Sequence, residues 1–121
     1  MRSLVVVPTY QEADNVGPFL AAVRGAFPEA DVLFCAGDVL AAGALFECDR
    51  RDWKVPERLA LASFDDLDLM RHVSPPLTSL KLPRYDIGRR SAQMILDRLD
   101  ARPMPTTVID LGFEIVQRAS A

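Results

Sequence analysis

The chain reads as a mainly parallel, three-layer α/β domain, on three observations. Short apolar runs recur along it, most are followed by a stretch of helical periodicity, and Pro, Gly or paired Asp residues mark each change. Strands that are continuously apolar rather than alternating belong in a sheet covered on both faces. Strict strand–helix alternation winds such a sheet with right-handed crossovers. At 121 residues there is room for one domain, residues 1–121, and not for two.

The elements follow in order. Leu4–Val7 is a β-branched run and reads as a buried strand. Thr9–Asn15 is polar and turn-like. A helix then carries Val16, Phe19, Leu20 and Val23 on one stripe as far as Phe27, where Pro28 stops it. Val32–Ala36 is the second strand. Asp38 is placed to cap the helix Val39–Asp49, whose apolar stripe is Leu40, Ala44, Leu45 and Cys48. Leu59–Phe64 is the third strand, ended by Asp65–Asp66, and Leu67–His72 is a short helix. Pro75–Pro76 separates this from a fourth strand, Leu77–Leu82. The helix Asp86–Leu99 is expected to bury Ile87, Ser91, Met94, Ile95 and Leu99. A Pro-rich turn leads to an edge strand over Thr107–Gln117, giving four to five strands. Phe34, Phe46, Phe64 and Phe113 are core candidates, and Trp53 is a half-buried cover for the end of the second helix.

Composition removes several function classes. A net charge of −3 with no basic stripe argues against nucleic acid. No apolar run is long enough to span a membrane, and Pro8 with Gln11–Asp14 makes the N-terminal run a strand rather than a signal peptide. Cys35 and Cys48 lack metal-site spacing and read as reduced core thiols of a cytoplasmic protein.

In an open parallel sheet, ligands sit beyond the carboxyl ends of the strands. That edge collects Tyr10 and Glu12 after strand one, Asp38 after strand two, Asp65 and Asp66 after strand three, and Lys81 at strand four. Asp65, Asp66 and Asp68 read as solvated or structural carboxylates rather than a cation site, with Asp65 retained as a polyol contact. His72, the single histidine, has no Ser or Cys partner in a catalytic motif.

Two stretches carry family resemblances. "VVVPTYQEADNVGPFLAAV", within residues 1–33, resembles the first βα unit of a family 2 glycosyltransferase of the dolichol-phosphate mannosyltransferase kind. That resemblance implies sugar-nucleotide contacts at Pro8, Tyr10 and Glu12. Ala36–Gly37 stand where the family has metal-binding aspartates, so no transfer chemistry is expected. "FCAGDVLAAGALFE", "VPERLALASFDDLDL", "VSPPLTSLKLPRYDIGRRSAQMIL" and "DLGFEIVQRAS" run through residues 34–121. They resemble the C-terminal effector-binding subdomain of lactose-repressor-family regulators, most of all the gluconate-utilisation repressors.

The second resemblance implies a Rossmann-like or flavodoxin-like half of a periplasmic-binding-protein-like domain, with Asp65 holding the effector and Gly37 in place of a contacting Asn. It also implies that the helix Asp86–Leu99 packs largely on an N-terminal subdomain. Members dimerise through the helix after "CAGD" and the strand "LTSLKL", so a homodimer is expected, with Leu40, Leu45, Leu80 and Leu82 on its surface. Taken together, the two resemblances suggest an engineered or selected chimeric scaffold joined near residue 33, with neither catalytic nor regulatory function. The alternatives are weak sugar or sugar-acid binding through Asp65 and Asp38, and residual sugar-nucleotide binding through Tyr10 and Glu12. Neither a cofactor nor a metal is expected.

Overall fold

The computed structural model of the chain describes residues 3–7, 30–104 and 106–121. Five strands form one sheet in sequence order, β1 (Ser3–Val7), β2 (Ala30–Cys35), β3 (Ala60–Phe64), β4 (Thr78–Lys81) and β5 (Glu114–Val116). The pairs β1·β2, β2·β3 and β3·β4 are parallel. The α/β fold with a mainly parallel sheet is therefore as the sequence predicts. The helix expected up to Phe27 lies outside the described residues.

Register sorts the strand residues onto two faces. Leu33 lies beside Leu61, and Ser63 beside Ser79. With Cys35 these form one face, and all five are buried. The other face carries Val32, Phe34, Ala60, Ala62, Phe64 and Leu80, all only partly buried. Helix α1 (Asp38–Arg50) packs on β2 and β3. It buries Ala41, Ala42, Ala44, Leu45 and Cys48, and small side chains here let the helix approach the sheet closely. Leu59, Met70 and Leu77 complete this core, and each such side chain contributes roughly 1.5–3 kcal/mol on leaving water.

Arg51 closes α1 by donating its N–H to the Glu47 and Cys48 carbonyls. Asp52 then takes a left-handed φ of 54°, the position glycine usually fills after a helix, and Trp53 N–H reaches back to the Cys48 carbonyl at 2.8 Å. Trp53 is half-buried against the core, as expected, with the Arg58 guanidinium 4.5 Å from its ring centre.

Several expectations are corrected. Gly37, not Asp38, is the N-cap of α1, and no side chain caps it. Leu45 is a core residue rather than a surface one. Phe46 is 61% exposed, because the buried stripe of α1 runs through Ala41, Leu45 and Cys48, on the other side from Phe46; Phe113, just before β5, is 64% exposed. The edge strand is only three residues long. Upstream of it Gly112, at φ 71°, turns back so that its N–H meets Asp110 Oδ1 at 2.7 Å, which ends any extended run. The short helix before Pro75 is a single 3-10 turn, Asp68–Arg71.

Chain contacts divide the molecule into two compact units, one of residues up to Lys81 with Ile115–Ala121, the other Leu82–Glu114. The second contains helix α2 (Arg84–Leu99), in which no residue is buried. Ile95 and Leu99 are largely exposed, so the expected buried stripe is not found. Periodicity here gathers the apolar residues onto one side. Among the described residues of this unit, Leu82 and the segment 107–112 line an open groove of about 520 Å³ with Ile87 and Met94 of the helix.

Candidate functional site

The carboxyl edge of the sheet in the first unit is built around the turn Asp65–Asp66–Leu67. Both aspartates have positive φ, 104° and 55°, a conformation that costs a residue with a Cβ about 1–3 kcal/mol. The surrounding structure imposes it through three successive backbone donors. Asp65 N–H is held by the Leu80 carbonyl at 2.8 Å. Asp66 N–H is held by Ser79 Oγ at 3.0 Å, and Leu67 N–H by the Asp38 carboxylate. Ser79 in turn donates its hydroxyl to Asp38 at 3.4 Å.

Asp38 thus stands at the start of α1, 3% exposed, with its carboxylate engaged by β4 and the turn rather than by its own helix. An acid in the first turn also suits the helix dipole.

The Asp66 carboxylate lies against Arg118. Its Oδ1 lies 2.6 Å from Nη1 of the guanidinium as a charge pair rather than an aligned hydrogen bond. The same nitrogen donates to the Leu77 carbonyl at 2.7 Å. Both side chains are largely buried, and removing one partner of such a pair typically costs about 3–5 kcal/mol.

The C-terminal segment is sewn into the sheet beside this pair. Thr78 Oγ1 accepts from Arg118 N–H and donates to the Arg118 carbonyl. Ser120 Oγ accepts from Thr78 N–H at 2.8 Å and donates to the Leu61 carbonyl at 2.6 Å. Sequence reading missed Arg118, Ser79 and Ser120 as site-building residues. A lone Arg near a chain end and two isolated serines have no spacing that would flag them.

Among the described residues the Asp65 carboxylate has no hydrogen bond or ion pair, and the residue is only partly buried. Asp68, by contrast, is exposed and paired with Arg71 at 2.9 Å. No group of three His, Cys, Asp or Glu side chains among the described residues is placed to hold a metal ion. His72 is exposed at the end of the 3-10 turn, and Lys81 is exposed at the end of β4. Tyr10, Glu12 and Pro8 lie outside the described residues. Cys35 and Cys48 are buried and form no disulfide, and burial pushes the Cys35 thiol up to about 12.

A parallel sheet with such a carboxylate turn at its carboxyl edge is the architecture of ligand-binding α/β domains. The family model described as periplasmic binding protein-like domain matches residues 7–121, and the chain belongs to that family. Among its relatives, the Escherichia coli regulator IdnR is 40% identical over 88 residues, which are 73% of this chain and 26% of IdnR. The Pseudomonas aeruginosa regulator GntR is 40% identical over 93 residues, 77% of this chain and 27% of the relative. The crystal structure of GntR from Chromobacterium violaceum superposes with a TM-score of 0.78 at 36% identity, covering 93% of this chain and 42% of that one.

The chain therefore spans about a quarter of the length of the curated relatives it matches. All three are named as transcription regulators, which agrees with the second resemblance. None is a glycosyltransferase, and the family match takes in most of the stretch that suggested one. A join near residue 33 thus gains no support from these comparisons.

Proposed function

We propose that this chain is part of the effector-binding domain of a sugar- or sugar-acid-responsive transcription regulator, with Asp65 as a carboxylate that accepts hydrogen bonds from ligand hydroxyls. The observation that carries this reading is the Asp65 side chain, left without a partner among the described residues on a turn held in a strained conformation. A carboxylate of this kind receives two adjacent hydroxyls well, because it is acceptor-only when ionised. A related regulator from Arthrobacter, 25% identical with a TM-score of 0.74, was solved with lactose, which supports a carbohydrate ligand.

On this reading the chain is not an enzyme and works in the cytoplasm, as its regulator relatives suggest. It forms a homodimer through the outer face of α1, where Val39 and Phe46 lie seven residues apart and exposed. Titrating the ¹⁵N-labelled chain with D-gluconate and with lactose tests the assignment. Saturable shifts centred on Asp65, abolished in Asp65→Asn, support it. No shift with either compound at millimolar concentration removes it and favours the scaffold reading. Light scattering at high micromolar concentration tests the dimer, and a monomer there refutes it.

A further inference from the structure

We infer that Arg118, through its pair with Asp66, and Ser79, through its link to Asp38, are positioning residues that set the direction of the Asp65 carboxylate. The inference rests on the reading of Asp65 as a ligand contact. Its physical core stands on the turn itself.

Two consecutive non-glycine residues with positive φ do not hold that shape unaided. Here each of the three turn amides meets an acceptor fixed from elsewhere: a β4 carbonyl, a β4 hydroxyl, and a carboxylate at the start of α1. The fourth restraint is the side chain of Asp66, largely buried and drawn to Arg118. Successive side chains on such a turn diverge, so anchoring Asp66 inward leaves Asp65 facing outward. Arg118 is itself fixed, by its own N–H and carbonyl on Thr78 Oγ1 and by its guanidinium on the Leu77 carbonyl. The C-terminal segment therefore acts as a strap. It converts an internal charge pair into the orientation of a carboxylate at the sheet edge.

The experiment compares the ¹⁵N-labelled full chain with Arg118→Met, Arg118→Lys and Ser79→Ala. In Arg118→Met the amide resonances of Asp65, Asp66 and Leu67 are expected to move and their hydrogen exchange to accelerate about tenfold. Methyl resonances of Leu33 and Leu61 should stay in place. Arg118→Lys, which keeps the charge, should restore most of the turn. The D-gluconate dissociation constant should rise about tenfold in Arg118→Met.

If Arg118→Met does not fold, Ser79→Ala carries the same comparison, because it removes the acceptor of Asp66 N–H with little change in volume. Turn amides unmoved in whichever of these variants folds overturn the inference. If D-gluconate binds the parent chain and the variant equally, the inference falls and the sugar reading stands. If the parent chain binds neither D-gluconate nor lactose, the sugar reading falls and the turn amides alone decide the positioning role.

Discussion

Replacing Ser120 by Ala removes one oxygen from the centre of the sheet seam. That oxygen is fully buried and serves two partners, accepting from Thr78 N–H at 2.8 Å and donating to the Leu61 carbonyl at 2.6 Å. Both partners belong to buried residues, so water does not replace the lost hydroxyl. A buried group left unsatisfied costs about 1–3 kcal/mol, and the buried hydroxyl's own desolvation is relieved when it goes. The expected loss is about 3 kcal/mol. For a chain of this size that corresponds to a fall of roughly 10–15 °C in Tm. In urea it lowers the unfolding midpoint by about 1–3 M. The backbone bonds Leu61 N–H to the Ser120 carbonyl and Ser120 N–H to the Pro76 carbonyl survive the change, so the strap stays in register. Circular dichroism melts and urea titrations of Ser120→Ala measure the effect, with the exposed Ala119→Ser as a control expected within about 0.5 kcal/mol of the parent. A Ser120→Ala midpoint indistinguishable from the control would show that the seam is not held through this hydroxyl.

Met70→Ala, at a fully buried site against α1, should cost about 2–5 kcal/mol in the same assay, and a loss under 1 kcal/mol would mean that the site collapses freely. Hydrogen bonds from Arg50 and Arg51 hold the Glu47 carboxyl down at about 2, against an ordinary 4.5. A lowered folded-state value adds stability that is fully present above the unfolded value and is lost as pH falls from 4.5 through about 2. Carboxyl ¹³C titration should find Glu47 ionised at pH 3, and Arg50→Gln with Arg51→Gln should return it toward the ordinary value. Native chain at pH 8 should leave Cys35 unlabelled by a thiol reagent, since burial and the neighbouring Cys48 raise its thiol to about 12. Rapid modification of Cys35 without unfolding would contradict its burial.

The parallel strands were legible because each is a compact apolar run bounded by punctuation that survives folding, as with Val32–Ala36 before Gly37 and Leu77–Leu82 after Pro76. Asp65 was legible as a candidate from its place just past a strand. What eluded sequence reading was tertiary. A carboxylate at Asp38 satisfies cap statistics equally well whether it bonds its own helix or a distant turn, and here the turn and Ser79 take it. Hydrophobic periodicity in Asp86–Leu99 tells which residues share a side and not whether anything covers that side. Phe46 shows the same gap, since a large apolar residue facing outward on α1 has the same local signature as one facing the sheet. The length of the last strand depended on one backbone turn at Asp110–Gly112, which β-branched neighbours concealed.

Strand order has a consequence for how such a sheet can be inherited. Because, among the described residues, β1 to β4 pair with their neighbours in sequence, most of the sheet behaves as a linear chain of adjacent pairings. A different first unit needs to match only one partner, offering a strand in the register Leu4 beside Val32 through Val7 beside Cys35. Nothing between β2 and β4 has to re-pair to receive it. The other end lacks that freedom, because Arg118 and Ser120 bond residues of both β3 and β4 or their flanks, across as many as 59 positions of sequence. Recombination should therefore be tolerated upstream of β2 and resisted downstream of β3.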